Sequence, residues 1–231
     1  MSIPRNRLAL VLTCFLAASC GVNKSILIAD GETVEGSRST VNGSVRIGSG
    51  CDVRGNCRTV NGRITVGQGT SVGGLKTVNG QITIADDVAV AGDVGTVNGS
   101  LILGDDISIE GSLETVNGSV ECGSGTVLAD ISTVNGGISL AATRVGGTLT
   151  TTNGSVALTD STRVAGDVVI RGKDRRGAKK KAVEIRIAGG SIVEGDIVVR
   201  DSGRRVTVIL VDGGAVKGDV TNAEVVERSA N

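Results

Sequence analysis

Apolar side chains recur along most of this chain in pairs, and one residue separates the two members of each pair. In the stretch that begins at Val97, the apolar positions are Val97, Leu101, Leu103, Ile107, Ile109 and Leu113. A spacing of two places both members of a pair on one face of a β-strand. The gaps between pairs contain Asn-Gly-Ser, Gly-Asp-Asp and Glu-Gly-Ser, which are typical of turns. The pattern predicts three short strands joined by tight corners.

This unit repeats, because Thr-Val-Asn-Gly begins at six positions from Thr40 to Thr133 and Thr-Thr-Asn-Gly begins at Thr151. The asparagines recur at a nearly constant spacing, at Asn23, Asn42, Asn61, Asn79, Asn98, Asn117, Asn135 and Asn153. A second marker, Val-x-Gly or its equivalent, counts ten units, and its last two intervals are longer than the others. We therefore predict an all-β, single-stranded parallel β-helix (a solenoid) of about ten coils of 18–19 residues. Its cross-section should be triangular, and the pattern leaves its handedness open.

Two further expectations concern the corners of each coil. Asn before Gly suits a left-handed backbone, which Asn tolerates and Gly adopts without steric cost. Stacked asparagines can hydrogen-bond from coil to coil, so we expect a structural ladder of amides in preference to a ligand-binding row. The step of three from Leu113 to Val116 breaks the two-residue alternation and predicts a β-bulge at one corner.

The first residues have the features of an export signal. Arg5 and Arg7 precede the apolar run 8–16, which is too short to span a bilayer. The run is followed by Ala-Ala-Ser-Cys at residues 17–20, which resembles the lipobox of bacterial lipoproteins. That resemblance implies cleavage before Cys20 and acylation of this cysteine, with palmitate among the acyl groups. The alternative is an ordinary secretory signal whose cleavage site happens to precede a cysteine.

The chain is expected to have three parts. They are a signal peptide at 1–19, a β-helix at 20–220 with a basic loop insertion at 172–182, and a C-terminal tail or cap at 221–231. The lipoprotein resemblance implies export to the cell envelope. Gly21 follows the acylated cysteine in place of the Asp that retains many lipoproteins at the inner membrane, so the outer membrane is preferred, on its periplasmic or surface side.

Composition narrows the chemistry. The chain has no His, Trp or Tyr, and its only Met, Pro and Phe lie within residues 1–19, so the core must be Val, Ile, Leu and Ala. Without histidine, Ser-His and Cys-His nucleophiles are excluded. Without aromatic residues beyond the segment 1–19, stacking platforms for sugars or bases are absent as well. We therefore expect no enzymatic activity, no cofactor and no nucleic-acid partner.

Four corners of the predicted helix resemble those of a known family. They have the form Val-x-Gly-Asp-[Val/Ile] and span residues 90–94, 164–168, 193–197 and 216–220. Together with the segment 209–219, they resemble the bactofilins, bacterial polymer-forming cytoskeletal proteins with a β-helix core. The resemblance implies self-assembly, although the export signal, the short tail and the lack of a terminal aromatic residue depart from that family. The Val-Asn-Gly-Ser repeats also resemble adhesin-type bacterial surface proteins.

An acidic cluster is predicted at one corner. Asp86 and Asp87 lie one repeat before Asp105 and Asp106, so four carboxylates should occupy the same corner of adjacent coils. They are candidate ligands for Ca²⁺, or the acid/base pair of a polysaccharide-cleaving enzyme. The alternative is a solvated turn that uses Asp for its turn preference. No other metal site is expected.

The insertion at 172–182 and the cysteines complete the set of candidate features. The basic residues of the insertion are Lys173, Arg175, Arg176, Lys179, Lys180 and Lys181. They are suited to anionic lipid, lipopolysaccharide or another anionic envelope polymer; the alternative is a merely solvated loop.

Cys51, Cys57 and Cys122 take positions that are apolar in other coils, so we expect buried thiols. An exported compartment also permits a Cys51–Cys57 disulfide.

These observations predict a non-enzymatic structural rod of the cell envelope that a lipid anchor fixes to the membrane. Its open terminal coils are unpaired strand edges, which favour a homo-oligomer or filament. Residues 21–160 carry a net charge of −6 and residues 161–231 a net charge of +4, which also favours head-to-tail contact. Two alternatives remain: an adhesin or anionic-glycan-binding module, and a β-helix polysaccharide lyase or hydrolase that uses Asp86 and Asp105.

Overall fold

The computed structural model describes residues 20–172, 182–200 and 203–228. These residues form thirty short strands, all paired in parallel, and include no helix. The strands wind into a solenoid of about ten coils in which each coil contributes to three faces. The prediction of an all-β parallel β-helix is confirmed.

The strands of the first face are β2 (Ile26–Ile28), β5 (Val45–Ile47), β7 (Ile64–Val66), β9 (Ile82–Ile84), β12 (Leu101–Leu103), β15 (Val120–Cys122), β18 (Ile138–Ala141), β21 (Val156–Thr159), β24 (Val183–Ile187), β27 (Val206–Val211) and β30 (Glu224–Arg228). The strands of the second face are β3 (Thr33–Glu35), β6 (Asp52–Arg58), β8 (Ser71–Lys76), β10 (Ala89–Val90), β13 (Ile107–Ile109), β16 (Gly125–Val127), β19 (Thr143–Val145), β22 (Arg163–Val164), β25 (Ile192–Val193) and β28 (Ala215–Val216). The strands of the third face are β1 (Cys20–Gly21), β4 (Arg38–Thr40), β11 (Val94–Gly95), β14 (Leu113–Glu114), β17 (Ile131–Ser132), β20 (Leu149–Thr151), β23 (Val168–Ile170), β26 (Ile197–Val199) and β29 (Val220–Thr221).

The three faces belong to two hydrogen-bonded sheets. The first face is an eleven-stranded sheet, whereas the second and third faces form one sheet of nineteen strands. The second and third faces are joined because β6 and β8 continue through the corner between them. In the first face Leu101 pairs with Ile82 on one side and with Val120 on the other. Equivalent side chains therefore stack in columns at about 4.8 Å per coil.

Alternation along each strand directs apolar side chains into the coil. In β12, Leu101 and Leu103 are buried, while Ile102 between them points outward and is only half-buried. The interior is built from columns of Val, Ile and Leu, and Ile64, Ile82 and most of their counterparts are fully buried. Burying each such side chain stabilises the fold by about 1.5–3 kcal/mol relative to exposure. The core therefore runs the length of the solenoid without needing aromatic residues.

The third face departs from the predicted pattern. Val97, expected in the interior, is 39% exposed, and Thr96 beside it is only 6% exposed. The inward pair of the next coil is likewise Leu113 and Thr115, two residues apart. The alternation is therefore unbroken, and the prediction of a bulge at the step to Val116 is wrong. Thr can replace an apolar residue there because its hydroxyl donates to a backbone carbonyl oxygen.

An irregularity occurs at a different corner, where β6 pairs with β8. Asp52 pairs with Ser71, whereas Asn56 pairs with Gly74, so the second offset is shorter by one position. The register shifts between Val53 and Asn56 because the following coil is one position shorter at this corner. The slight variation of the repeat spacing in the sequence is thus absorbed in a corner, and the strand columns stay aligned.

The last coils carry the insertions that the wider spacing predicted. One insertion follows β23, and its residues 173–181 lie outside the described part of the chain. The segment 221–231 is predicted to be a tail or cap, and within it residues 224–228 form β30 and pair with β27. This strand opens an eleventh coil and covers the first-face edge, whereas the described partners of β28 and β29 lie in the preceding coil alone.

Candidate functional site

The Asn-Gly corner joins the third face of one coil to the first face of the next. Its asparagines form the asparagine ladder, which consists of Asn23, Asn42, Asn61, Asn79, Asn98, Asn117, Asn135 and Asn153. Each side-chain amide nitrogen from Asn42 onward donates to the side-chain oxygen of the asparagine one coil earlier, at 2.5–2.8 Å. All eight residues are exposed. Their amides satisfy one another, which is the structural role that the repeat predicted.

The threonine of the repeat faces the interior beside the ladder. The hydroxyl of Thr96 donates to the carbonyl oxygen of Gly80 at 2.9 Å, and the six equivalent threonines make the same bond over 2.7–3.2 Å. A buried hydroxyl without such a partner would be destabilising, so this bond permits a polar residue in the core column. Thr and Asn therefore tie each corner to the preceding one through two separate columns of hydrogen bonds.

The glycine of the repeat is required for a reason that differs from the prediction. A Cβ atom built on Gly99 would lie 2.0 Å from the carbonyl oxygen of Gly80, and one on Gly118 would lie 1.9 Å from that of Gly99. Neither glycine has a positive φ, and Asn23, at 62°, is the single ladder asparagine that has one. The expectation of a left-handed corner is therefore wrong for the other seven. Close stacking of coils excludes a side chain at this position.

The ladder ends at Asn153, where a residue that sequence reasoning missed takes over. The Nη2 atom of Arg204 donates to the side-chain oxygen of Asn153 at 2.7 Å, and its Nη1 atom donates to the carbonyl oxygen of Thr152. Arg204 is 51 residues away along the chain, in the insertion that precedes β27. No periodic signal marks it, because it replaces the repeat at the point where the repeat stops.

The aspartates of the predicted acidic cluster lie in turns, and Asp86 and Asp87 make different contacts. Asp87 and Asp106 occupy left-handed positions, with φ of 57° and 55°, that glycines such as Gly50 occupy in earlier coils. One carboxylate oxygen of Asp86 accepts the backbone N–H of Asp105 at 2.9 Å, toward the following coil. Asp87 instead accepts from the side chain of Gln68 at 3.0 Å, toward the preceding coil.

The predicted convergence of four carboxylates is therefore not found. Within the described ranges, no group of three or more Asp, Glu, Cys or His side chains is placed to hold a metal ion. The carboxylates of Asp86 and Asp87 turn in opposite directions along the axis because each one satisfies a donor in a different coil. The Ca²⁺ candidate formed by Asp86, Asp87, Asp105 and Asp106 gains no support from this geometry, and an acid/base pair gains none either.

The Val-x-Gly-Asp corners, which carry the bactofilin resemblance, show a recurrent hydrogen bond. One carboxylate oxygen of Asp167 accepts the backbone N–H of Asp196 at 2.9 Å, and Asp196 in turn accepts that of Asp219 at 2.8 Å. Asp93 accepts the N–H of Ser112 at 3.2 Å, and this bond, followed by the nearby Lys76 ammonium, lowers the pKa of Asp93. These aspartates bind each corner to the next, which gives the motif a structural explanation.

All three cysteines of the described chain that lie beyond β1 are buried free thiols, as expected from their apolar columns. The permitted Cys51–Cys57 disulfide is not formed. The Cys51 thiol donates instead to the carbonyl oxygen of Ala29 at 3.1 Å. Burial raises the pKa of Cys57 to about 11 and also raises that of Cys122. These two thiols are therefore protonated and poorly nucleophilic at neutral pH, which is unlike a catalytic cysteine.

The residue expected to carry the lipid lies in the first coil itself. Cys20 and Gly21 form β1, and their register partners in β4 are Ser39 and Thr40. The segment 1–19 that would be cleaved lies outside the described residues, as do all six basic residues of the 172–182 insertion. No helix within the described ranges has the length and apolar character needed to cross a bilayer.

Charged residues occur in bands along the rod. Residues 20–80, in the first three coils, hold seven basic and four acidic side chains. Residues 81–142, in the coils that follow, hold nine acidic side chains and no basic one. The net charges of residues 21–160 and 161–231 do not reveal this order, because the acidic band lies in the middle of the rod.

Two shallow depressions lie on the outer faces. The larger, of about 500 Å³, lies on the second face where Ser71, Gly73, Ala89 and Ala91 form a floor of small residues. The smaller, of about 210 Å³, lies at the corner between the second and third faces and includes Arg58 and Lys76.

Comparisons with known protein families, with curated proteins and with solved structures found nothing that matches this chain.

Proposed function

We propose that this protein is a lipid-anchored, non-enzymatic scaffold rod of the cell envelope. The observation that carries the proposal is the position of Cys20, which lies in a strand of the first coil, directly after a lipobox-like segment. An acyl chain on this residue would attach to the solenoid without a linker. The rod would then project from the membrane by about 45 Å, given the spacing of stacked strands.

The construction of the rod supports a structural role. Each coil is tied to the next by strand ladders, by the asparagine ladder and by the aspartates of the corners. In such a solenoid each coil contacts only its neighbours, so the interfaces between coils stabilise the whole rod. The sequence contains no histidine, and the thiols of Cys57 and Cys122 are poor nucleophiles, which also favours a role outside catalysis.

Self-assembly is the second part of the proposal, and it follows from the C-terminal end and the resemblance to bactofilins. Among the described residues, strands β28 and β29 have no pairing partner on the side away from the N-terminus. Val216 and Val220, at that end, are only partly buried. An unpaired edge beside apolar side chains favours addition of a second subunit. The Val-x-Gly-Asp corners suit this reading, since Asp219 can accept an N–H from an added coil as Asp196 does from Asp219.

The anchor is tested by metabolic labelling with a palmitate analogue and by mass spectrometry of the mature N-terminus. The wild-type protein should incorporate label at Cys20 and partition into detergent, and Cys20→Ala should do neither. Cys14→Ala is the matched control, because this cysteine lies within the predicted signal and should not affect labelling. Labelling that survives Cys20→Ala, or a mature chain that retains residues before Cys20, would refute the anchor.

Assembly is tested on the unacylated mature protein by sedimentation and negative-stain electron microscopy. We expect concentration-dependent oligomers or filaments with an axial repeat close to the length of one rod. Replacement of Val216 and Val220 by Lys should abolish them, whereas Leu128→Lys, on an outer face, should not. Monomers at every concentration would refute self-assembly and leave the anchored rod to stand on the labelling result.

A further inference from the structure

We propose that the first coils form a docking base that contacts an anionic bilayer surface and holds the rod upright on the membrane. The proposal deepens the function above and takes its geometry from the anchor at Cys20. It names a second contact with the membrane, made by side chains of the protein. We call these residues the docking base: Val22, Lys24, Leu27, Arg46 and Arg63.

The base has the most exposed large apolar side chains of the described chain. Leu27 is 71% exposed and Val22 is 67% exposed, compared with 59% for Leu128 and about 39% for the repeat valines. Both lie in the first coil, within a few positions of Cys20. Leu27 is the outward residue of β2, so its side chain faces away from the core. Apolar side chains beside an acyl anchor are suited to burial at the boundary of headgroups and acyl chains.

Basic residues lie on the same side of the rod as Leu27. Arg46 is the register partner of Leu27 in the second coil. Lys24 follows Asn23 and Arg63 follows Gly62, so both lie at the adjoining Asn-Gly corner. The N–H of Val45 donates to the carbonyl oxygen of Arg63 at 2.9 Å, which places Arg63 beside the second coil. These three side chains are exposed and make no ion pair with any described residue.

Arg54 provides a contrast on the second face. It is paired with Glu35 and with Asp52, both at 2.9 Å, and is therefore locally neutralised. The three basic residues of the docking base, in contrast, have no ion pair among the described residues, and they lie on the side that also carries Leu27 and Val22. At about 4.8 Å per coil, Arg46 and Arg63 lie within about 10 Å of the first coil, close to one Debye length at physiological salt.

The acidic band determines the orientation. The nine acidic residues of segment 81–142 begin in the fourth coil, about 14 Å from the first coil. A rod lying flat would press carboxylates with few basic neighbours against anionic headgroups, which is unfavourable. An upright rod keeps the band beyond the reach of the surface potential and retains the attraction of the base. Charge order along the rod therefore selects the upright orientation.

The binding test uses the mature chain with Cys20→Ser, which removes the acyl anchor and leaves the base intact. Co-sedimentation is measured with vesicles of phosphatidylcholine alone and with vesicles that also contain phosphatidylglycerol as a minor component. We expect binding to the anionic vesicles, weakened by salt. The triple variant Lys24→Gln/Arg46→Gln/Arg63→Gln should weaken it by roughly a hundredfold, because each basic residue contributes about fivefold near such a surface. Val22→Ser/Leu27→Ser should also weaken it, while preserving the salt dependence.

The matched control is Arg144→Gln/Arg171→Gln/Arg186→Gln, which removes three exposed arginines from later coils. It should bind like the parent. Equal loss in both triple variants, or no binding of the parent to anionic vesicles at low salt, overturns the docking base. If labelling shows no acylation but the base variants still lose binding, the anchor fails and the docking base stands.

Orientation is measured on the acylated protein with a fluorophore at Asp212→Cys, a turn near the far end of the rod. Energy transfer to a headgroup acceptor should be weak on anionic vesicles, as expected for a donor held roughly 40 Å from the surface. Strong transfer, which indicates a rod lying flat, contradicts the upright orientation. Replacing the acidic side chains of the band by their amides should increase the transfer, since the band then no longer opposes a flat rod.

Discussion

Arg204 donates a hydrogen bond of 2.7 Å to the side-chain oxygen of Asn153, and so supplies the donor that a ninth asparagine of the ladder would have provided. The asparagine ladder leaves one acceptor open wherever it stops. A guanidinium from an insertion in a later coil satisfies that acceptor and the Thr152 carbonyl together. The single side chain of Arg204 thereby stabilises the junction between the regular coils and the coils that carry insertions.

Removal of this side chain should destabilise the later coils. We expect Arg204→Ala to lower the free energy of unfolding by about 1–3 kcal/mol, because bonds from a charged donor to two acceptors are lost. Urea titration followed by circular dichroism measures the change. Arg205→Ala is the matched control, since Arg205 is exposed and adjacent. Equal effects of the two substitutions would show that Arg204 does not act through the ladder.

The middle of the ladder should be less sensitive. Asn98→Ala removes the bond from Asn98 to Asn79 and the bond from Asn117 to Asn98, each 2.8 Å long. Both bonds are exposed, so we expect a loss of about 1–2 kcal/mol in the free energy of unfolding. Val97→Ala, at a neighbouring exposed position without side-chain hydrogen bonds, should cost clearly less. A larger effect at Val97 would indicate that corner packing outweighs the amides.

Glycines separate into two classes that substitution by alanine should distinguish. Gly99→Ala places a Cβ 2.0 Å from the Gly80 carbonyl oxygen, so adjacent coils must move apart. We expect destabilisation of about 3 kcal/mol or more, or failure to fold, as overpacking against backbone cannot be relieved by a rotamer change. Gly95→Ala should be tolerated, because its nearest neighbour would be the Glu114 carbonyl oxygen at 3.5 Å. Thermal denaturation of both variants tests the contrast.

Buried thiols should make stability fall at alkaline pH. Burial raises the pKa of Cys57 from 9.0 to about 11, so the folded state holds this proton more tightly than the unfolded state. The resulting stabilisation is complete below pH 9 and is lost as pH rises toward 11. Unfolding free energies measured across this alkaline range should fall more steeply for the wild type than for Cys57→Ala. Parallel pH profiles would show that Cys57 titrates normally in the folded protein.

Much of the fold can be predicted from the sequence, because a solenoid repeats its local chemistry. The two-residue alternation in Leu101–Leu103 and Ile107–Ile109 predicts strands, and the regular spacing of asparagines predicts how they stack. The asparagine ladder and the buried cysteines follow from the same register. These features depend on which residues recur along the chain, and that can be read directly from the sequence.

Other features depend on distances between coils, and only the tertiary structure could establish them. The sequence pattern suggested Val97 for the interior, but the path of the corner buries Thr96 and satisfies its hydroxyl with Gly80. The glycine requirement at Gly99 arises from the close approach of a stacked carbonyl, and the aspartate pairs diverge because they bond to different coils. Arg204 reaches Asn153 across 51 residues without any periodic signal. The repeat therefore determines which residues stack in columns. The contacts between columns, and those that the insertions make, are determined by the three-dimensional path of the chain.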